Sequence, residues 1–202
     1  MAKVRLTKNE LKRQKDALKR FLRYLPMLQL KKQQLQVEIG RIHRQIEDLA
    51  RQMDDFRKYL VSWVDLFAED VGLSDLIKIE SIRTESGNIA GIDIPVFLAV
   101  DFQESPYDLL RTPLWVDKAK EACKQEITLK ARLLIYHKQV EILKEELRIT
   151  TQRVNLFEKI KIPQARENIR IINIYTGELQ TASVVRGKIA KAKIDKKSES
   201  LS

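Results

Sequence analysis

The 202 residues are about the length of one domain with a small insert, and 44% of them are apolar, so the chain can form a core but is too short for a multidomain enzyme. Charged residues make up 33%, with only 6 Gly and 5 Pro, a composition typical of long helices or coiled coils and unlike that of a sheet-rich barrel or sandwich. The net charge of +10 indicates an acidic partner or surface without naming one.

The first predicted helix is marked by a capping box followed by a long apolar repeat. Thr7 and Glu10 have the spacing at which each side chain can cap the backbone N–H of the other, so the helix is expected to begin here. From Leu35 onward the apolar residues are mostly three and four positions apart in alternation, an average near 3.5 that predicts a left-handed coiled coil. The repeat ends at Gly72, which gives an N-terminal coiled-coil helix over 1–72. Its apolar positions are Leu11, Leu18, Leu25, Leu28, Leu35, Ile39, Ile42, Ile46, Leu49, Met53, Phe56, Leu60, Val64 and Phe67.

Residues 73–112 have a different pattern, which predicts a small head. β-branched residues alternate from Ile77 to Glu85 and recur from Ile92 to Phe97, and Gly87-Asn88 between them predicts the tight turn of a β-hairpin. Pro95 has no N–H to donate, so its strand is an edge strand or ends there. Ser105-Pro106 then indicates the start of a short helix.

A second, less regular heptad pattern follows from Pro113. It predicts a C-terminal coiled-coil helix over 113–194, and the polar residues 195–202 are expected to form a frayed tail. The apolar positions of this helix are Val116, Ala119, Cys123, Ile127, Leu134, Leu143, Leu147, Val154, Phe157, Ile172, Leu179, Ala182 and Ile189.

Neither helix can bury its apolar side alone, so the two are expected to fold back on each other. The predicted fold class is mainly α: a long antiparallel two-helix left-handed coiled coil, with a small head of a β-hairpin and a short helix between the helices. In this arrangement Ile42 faces Leu143, and Pro26 and Pro163 lie at nearly one level, where a bend or local irregularity is expected. The residues expected to define the seam are Leu35, Ile42, Leu49, Phe56, Leu134, Leu143, Leu147, Val154 and Phe157.

Charge is distributed unevenly along the chain. Residues 1–32 contain 11 basic and 2 acidic side chains, and residues 151–202 contain 11 and 5, whereas residues 33–150 contain 16 and 21. Because the helical hairpin would bring the two termini together, its terminal end is predicted to be strongly basic and its head end mildly acidic. The two ends therefore require different surroundings.

Several kinds of site and segment are excluded or disfavoured by residue counts. Cys123 is the only cysteine, so no intrachain disulfide can form, and together with His43 and His137 it is too few for a zinc-type cluster in one chain. Apolar runs such as 96–100 are far shorter than the roughly 20 residues that span a bilayer, and the N-terminus lacks the apolar core of a signal peptide. We expect a soluble or peripheral cytosolic protein.

No catalytic or cofactor-binding residue is expected. A glycine-rich loop of the spacing that holds nucleotide phosphates is absent from the sequence. The paired carboxylates Asp54-Asp55 and Glu145-Glu146 fall on predicted helical surface, where a solvated role is favoured over acid/base chemistry. The sequence therefore predicts no direct nucleotide or metal ligand, and nucleic acid is not expected as a direct partner.

Two segments carry a resemblance to a known family. In the second helix, Thr151–Glu158 (TQRVNLFE) is followed by Ile162-Pro163, and in the head Asn88–Phe97 reads NIAGIDIPVF. These segments, in the order helix, head, helix, resemble the D subunits of V/A-type rotary ATPases, which form the central stalk. The first helix departs from the family pattern by adding Pro26. The motif positions are Arg153, Val154, Asn155, Pro163, Asn88, Gly91 and Pro95.

The resemblance implies a non-catalytic rotor shaft. Its terminal end would sit inside the hexamer of catalytic A and nucleotide-binding B subunits, the F subunit of the central stalk would bind alongside, and the other end would dock on a socket subunit of the membrane rotor. The shaft would couple ATP hydrolysis or synthesis to proton or sodium transport. The residues that would contact the catalytic head are Lys8, Lys12, Arg13, Arg186 and Lys188.

Other interpretations remain open at this point. The γ subunit of F-type enzymes has a similar role but a large α/β domain between its helices, which about 40 residues cannot accommodate. A free-standing coiled-coil adaptor or prefoldin-like holdase would use the same helical hairpin, but it needs exposed apolar tips. A basic nucleic-acid-binding arm would bind with an affinity that falls steeply with salt.

Overall fold

The computed structural model describes residues 4–62, 76–106, 113 and 115–199, with side chains as far as 194. In chain order its elements are α1 (Lys8–Val61), β1 (Ile77–Ile89), β2 (Ile92–Glu104), α2 (Trp115–Leu156), a π-helical turn (Phe157–Lys161) and α3 (Ile162–Glu199). Two long helical stretches with an antiparallel hairpin between them confirm the predicted fold class. Three predictions fall mostly or wholly outside the described residues: the helix end at Gly72, the apolar positions Val64 and Phe67 of the first repeat, and the short helix predicted after Ser105.

The start of α1 is where the capping box predicts it. The Thr7 Oγ1 accepts a hydrogen bond of 3.3 Å from the Glu10 backbone N–H. The reciprocal bond of a capping box would run from the Thr7 backbone N–H to the Glu10 carboxylate. Here that N–H donates to the Arg5 carbonyl at 3.0 Å instead. The Glu10 carboxylate instead accepts from the Gln14 amide at 2.8 Å, so one half of the capping box forms.

The hairpin is confirmed, but the predicted position of its turn is wrong. Gly87 and Asn88 are still in β1, opposite Ile94 and Asp93, and the two-residue turn is Ala90-Gly91. Both turn residues have positive φ, 53° and 78°, as a type I′ turn requires. Gly87 is needed for another reason: a Cβ on it would lie 2.6 Å from Val96 Cγ2 on the facing strand.

Pro95 lies inside β2, opposite Ser86. The described sheet has only two strands, so one side of β2 pairs with no other described strand. The N–H that proline lacks is not required on that side, which agrees with the prediction of an edge strand.

The described chain divides into two compact units. One comprises Lys31–Ile149, and its core joins Leu35, Ile39 and Ile42 of α1 to Val140 and Leu143 of α2, with Ile94 of the hairpin packed among them. Ile42 and Leu143 thus share one core, as the antiparallel arrangement predicts. The Lys31 ammonium also contacts the Glu146 carboxylate at 2.8 Å, which ties α1 to α2.

Burial in this unit follows the seam on α1 more closely than on α2. Leu49 is buried, Phe56 is half-buried, and Leu147 packs against the core. Leu134, predicted to be in the seam, is 61% exposed, and the buried positions next to it are Ala131 and Ile135. The prediction for Leu134 is wrong because heptad spacing was extrapolated across a stretch in which a small residue, Ala131, occupies the buried position.

The other unit comprises Met1–Leu30 and Thr150–Ser202. Here the rings of Phe21 and Phe157 lie 5.2 Å apart, and Asn168 donates to Gln14 at 3.4 Å. Residue numbers on α1 rise as those on the C-terminal helix fall, so these segments are also antiparallel. Val154 is buried in this unit, as the seam predicts.

The two prolines are not at one level. Pro26 follows Phe21 along α1, and Pro163 follows Phe157 along the opposite direction, so they lie on either side of the Phe21–Phe157 contact. The predicted irregularity is confirmed next to Pro163, which comes directly after the π-helical turn. Pro26 lies within α1, which continues as one helix on both sides of it.

Candidate functional surfaces

The basic residues predicted to contact a partner are all in one compact unit and all exposed: Lys8, Lys12, Arg13, Arg186 and Lys188. Lys8 lies beside α3, since Leu6, Thr7 and Lys8 line a groove with Thr176, Leu179, Gln180 and Ser183. Arg13 is the one of the five with a described ion pair, to Glu10 at 3.5 Å, and its side chain is still 83% exposed. The structure thus places residues 6–8 beside residues 176–183 of α3, and we call the five exposed basic residues of this unit the basic surface.

The same part of α3 is apolar on more than one side. Leu179 and Ile189, two apolar positions of the predicted C-terminal repeat, are 49% and 52% exposed. Val184 and Val185 are also exposed, and adjacent residues of a helix point about 100° apart. A helix that is apolar on several sides is normally enclosed by other protein. The sequence carried this signal, because apolar residues here depart from a single heptad stripe.

The hairpin is fixed to α2 by polar contacts. Gln139 is buried, and its Nε2 donates to the Pro95 carbonyl at 2.5 Å. The Glu104 carboxylate at the end of β2 accepts from Lys120 at 2.8 Å and also from Lys124. These hydrogen bonds to two ammonium groups lower the pKa of Glu104 from 4.5 to about 2.

An aromatic contact strengthens the same attachment. The Arg132 guanidinium lies 5.4 Å from the centre of the Phe97 ring, a cation–π arrangement. Sequence reasoning did not find Gln139, Glu104 or Arg132. Only the pair Lys120 and Lys124, four residues apart and therefore on one helical face, offered a signal.

The motif residues of the head build the tip of the hairpin. The Asn88 Oδ1 accepts from the Gly91 backbone N–H at 3.0 Å, and its Nδ2 donates to the Asp93 carboxylate at 2.9 Å. Gly91 supplies the second positive φ of the turn, and Pro95 supplies the carbonyl that Gln139 holds. These residues position the hairpin and bring no catalytic group together.

The motif residues of the second helix have different surroundings. Val154 is buried, Arg153 and Asn155 are exposed on either side of it, and Pro163 follows the π-helical turn. Arg153 and Asn155 are therefore available to a partner, whereas Val154 serves packing.

The paired carboxylates and the Cys123 thiol differ in their surroundings. Hydrogen bonding to Arg148 lowers the pKa of Glu145, and burial raises the pKa of the Cys123 thiol. Asp54 and Asp55 are exposed on α1.

Within the ranges that the structure describes, no three His, Cys, Asp or Glu side chains are grouped to hold a metal ion. Among the described helices, none combines the length and the hydropathy needed to cross a membrane.

Comparison with known proteins identifies the family. The family model for the ATP synthase D subunit matches residues 10–192. The chain belongs to this family. The V-type ATP synthase D subunit of Borreliella burgdorferi is 48% identical over 197 residues, 98% of each chain. That of Chlamydia abortus is 32% identical over 201 residues, 98% of this chain and 97% of the relative. The D subunit belongs to the central stalk of V-type ATPases, and neither the adaptor nor the nucleic-acid interpretation is favoured.

Proposed function

We propose that this D subunit is the non-catalytic rotor shaft of its complex. It transmits rotation between the ATP-hydrolysing or ATP-synthesising hexamer and the ion-translocating rotor in the membrane. The observation that carries the proposal is the surface of α3, where exposed apolar residues on several sides lie among exposed basic ones, including Arg186 and Lys188. Such a helix end fits inside a protein sleeve better than against a flat partner.

The basic surface supports a partner with acidic loops. Charges that remain solvated attract over roughly a Debye length, about 8 Å at physiological ionic strength, without locking two surfaces in one orientation. A shaft that turns inside a hexamer needs such interchangeable contacts. We therefore assign the surface around Lys8, Lys12 and Arg13 to the A and B subunits, which would surround it.

The antiparallel helices support the mechanical part of the role. Two helices that share one apolar seam resist bending and twisting better than one. We assign the head end, which carries the β-hairpin, to a socket subunit of the membrane rotor and an intermediate surface to the F subunit. The whole chain would lie on the cytoplasmic side of the membrane as a peripheral part of the complex.

An assembly experiment tests the basic surface. A variant with Lys8, Lys12, Arg13, Arg186 and Lys188 changed to Gln should keep its helical circular dichroism but bind the A–B hexamer at least about tenfold more weakly at 0.15 M salt, because long-range attraction is lost. The matched control changes five exposed basic residues of the other unit to Gln: Arg44, Arg57, Lys130, Lys138 and Lys144. Equal affinity of the two variants for the hexamer would contradict the assignment.

A further inference from the structure

The C-terminal helical path contains one residue more than its heptad spacing allows. Before the π-helical turn, Thr150 is buried, and seven positions on the ring of Phe157 contacts Phe21 of α1. After it, Ala165 and Ile172 are again seven apart and buried. The step across the turn, from Phe157 to Ala165, is eight.

A second pair of positions shows the same offset. Val154 and Ile162 are 5% and 6% exposed, and they are also eight residues apart. On α1 no residue is added, since the half-buried positions Gln14, Phe21 and Leu28 keep a spacing of seven. The two helices of this unit therefore differ by one residue over the length along which they pack.

An added residue would rotate a regular α-helix by about 100°, because the helix has 3.6 residues per turn. Ile162, Ala165 and Ile172 would then point away from α1, and their apolar surface would be exposed. The structure avoids this rotation, since all three are buried.

The π-helical turn takes up the added residue. The Ile162 N–H bonds to the Phe157 carbonyl, five residues back, so this turn is wider than an α-helical turn and holds one residue more. The side chains of residues 158–161 are all exposed, and Ile160 is 54% exposed. The extra length is thus accommodated on the solvent side, and the buried stripe continues beyond it.

Pro163 explains why the wide turn lies where it does. Proline has no N–H for an α-helical hydrogen bond to residue 159, and its ring would clash with that carbonyl in a regular helix. A wide turn directly before Pro163 relieves this clash. It sacrifices no hydrogen bond at residue 163, because proline has no N–H to donate. If the turn moved towards the C-terminus, Pro163 would be left inside regular helix.

We infer that Phe157–Lys161 is a phase-correcting turn, held in place by Pro163, that keeps the apolar stripe of α3 on α1. The turn also fixes the angle at which the exposed residues farther along α3, such as Arg186 and Lys188, are presented. The significance of that angle for rotation rests on the proposed function. The phase correction itself does not.

The first test deletes one residue inside or outside the turn of the full chain. Deleting Ile160 together with Pro163→Ala restores the spacing of seven and permits a regular α-helix, so the melting temperature should stay within about 2 °C of the parent or rise. The matched control combines the same Pro163→Ala with deletion of the exposed Gln152, which turns Val154 and Phe157 out of phase with Thr150 whether or not the wide turn persists, and it should lower the melting temperature by about 5 °C or more. Equal losses in the two variants would overturn the inference.

The second test addresses the role of Pro163. In Pro163→Ala alone the added residue remains but the wide turn is free to move, so amide hydrogen exchange should accelerate at least about tenfold over 164–169. Pro26→Ala, which changes a proline inside regular helix, is the control and should leave exchange over 164–169 unchanged. Fast exchange confined to 157–162 in the Pro163→Ala chain would overturn the pinning role. Both tests use the isolated full chain, so their outcome is independent of assembly with the hexamer.

Discussion

Glu104 shows how single residues hold the head in place. Its carboxylate joins the end of β2 to two lysines of α2, and its pKa is lowered from 4.5 to about 2 by their hydrogen bonds. A carboxyl group whose pKa is depressed in the folded state stabilises that state fully above its unfolded pKa, and the stabilisation is lost as pH falls from about 4.5 to about 2. The attachment of the hairpin should therefore weaken over this acidic range.

Glu104→Gln tests this contact. The substitution removes the charge, so at pH 7 the amide protons of β2 should exchange faster than in the parent, and the difference should shrink as pH is lowered through 4.5 towards 2. Glu85→Gln, on the exposed face of β1, serves as the control and should leave β2 exchange unchanged at both pH values. A difference between parent and Glu104→Gln that stays constant with pH would show that the ion pairs are not its cause.

The hairpin turn contains a strained backbone conformation at Ala90, which a substitution can relieve. Ala90 has φ of 53°, in the left-handed region that L-residues other than Asn and Asp seldom adopt. Ala90→Asn should therefore stabilise the chain by about 0.5–1 kcal/mol in chemical denaturation. Gly91→Ala should do the opposite by about 1 kcal/mol, although a Cβ there would meet no atom within 4 Å, because φ is 78°. If both variants raised the free energy of unfolding, or both lowered it, the turn geometry would be contradicted.

Elements of the fold differ in how well their sequence predicts them. The capping residue Thr7 and the repeat through Leu35, Ile39 and Ile42 predict α1 and its buried side, because period and polarity agree along the helix. The hairpin turn is misplaced because Gly87-Asn88 has turn chemistry, yet Gly87 is required for close strand packing. Local chemistry alone does not distinguish these two uses of glycine.

The C-terminal helix was predicted less well for a physical reason. Its heptad pattern changes phase at the π-helical turn, so a single repeat that fits Val154 and Phe157 misses Ile162 and Ala165 by one residue each. The head contacts were missed because Gln139 and Pro95 are 44 residues apart, and their hydrogen bond depends on tertiary structure alone. For the basic surface, composition located the charges, and the apolar residues among them could have been found from their departure from a single heptad stripe.

The seam is tested at the level of the helix pair. Ile42 is 3% exposed in the core shared by α1 and α2, so Ile42→Asp buries an unpaired carboxylate and should cost about 2–5 kcal/mol of unfolding free energy. Val37→Asp introduces the same group on the same helix at a position that is 60% exposed, where the cost should be below about 0.5 kcal/mol. Equal destabilisation of the two variants in denaturant titrations would contradict the seam.

At the scale of the whole molecule, the features fit a protein whose two parts have different tasks. The unit formed by Lys31–Ile149 carries an apolar core and a hairpin anchored by hydrogen bonds and ion pairs. The unit formed by the two termini carries the basic surface, the exposed apolar residues of α3 and the phase-correcting turn. The first part is built to hold a fixed structure, and the second presents a surface that another protein would enclose.

The most direct test of the rotor role is to observe rotation. In the complete complex, immobilised through its A subunits, a bead is attached to this chain at Glu85→Cys, an exposed position of β1, in a Cys123→Ala background. If the chain is the shaft, ATP should drive unidirectional rotation of the bead, and a control complex carrying the bead on a B subunit should not rotate. ATP hydrolysis at the normal rate with a stationary bead on Glu85→Cys would contradict the account.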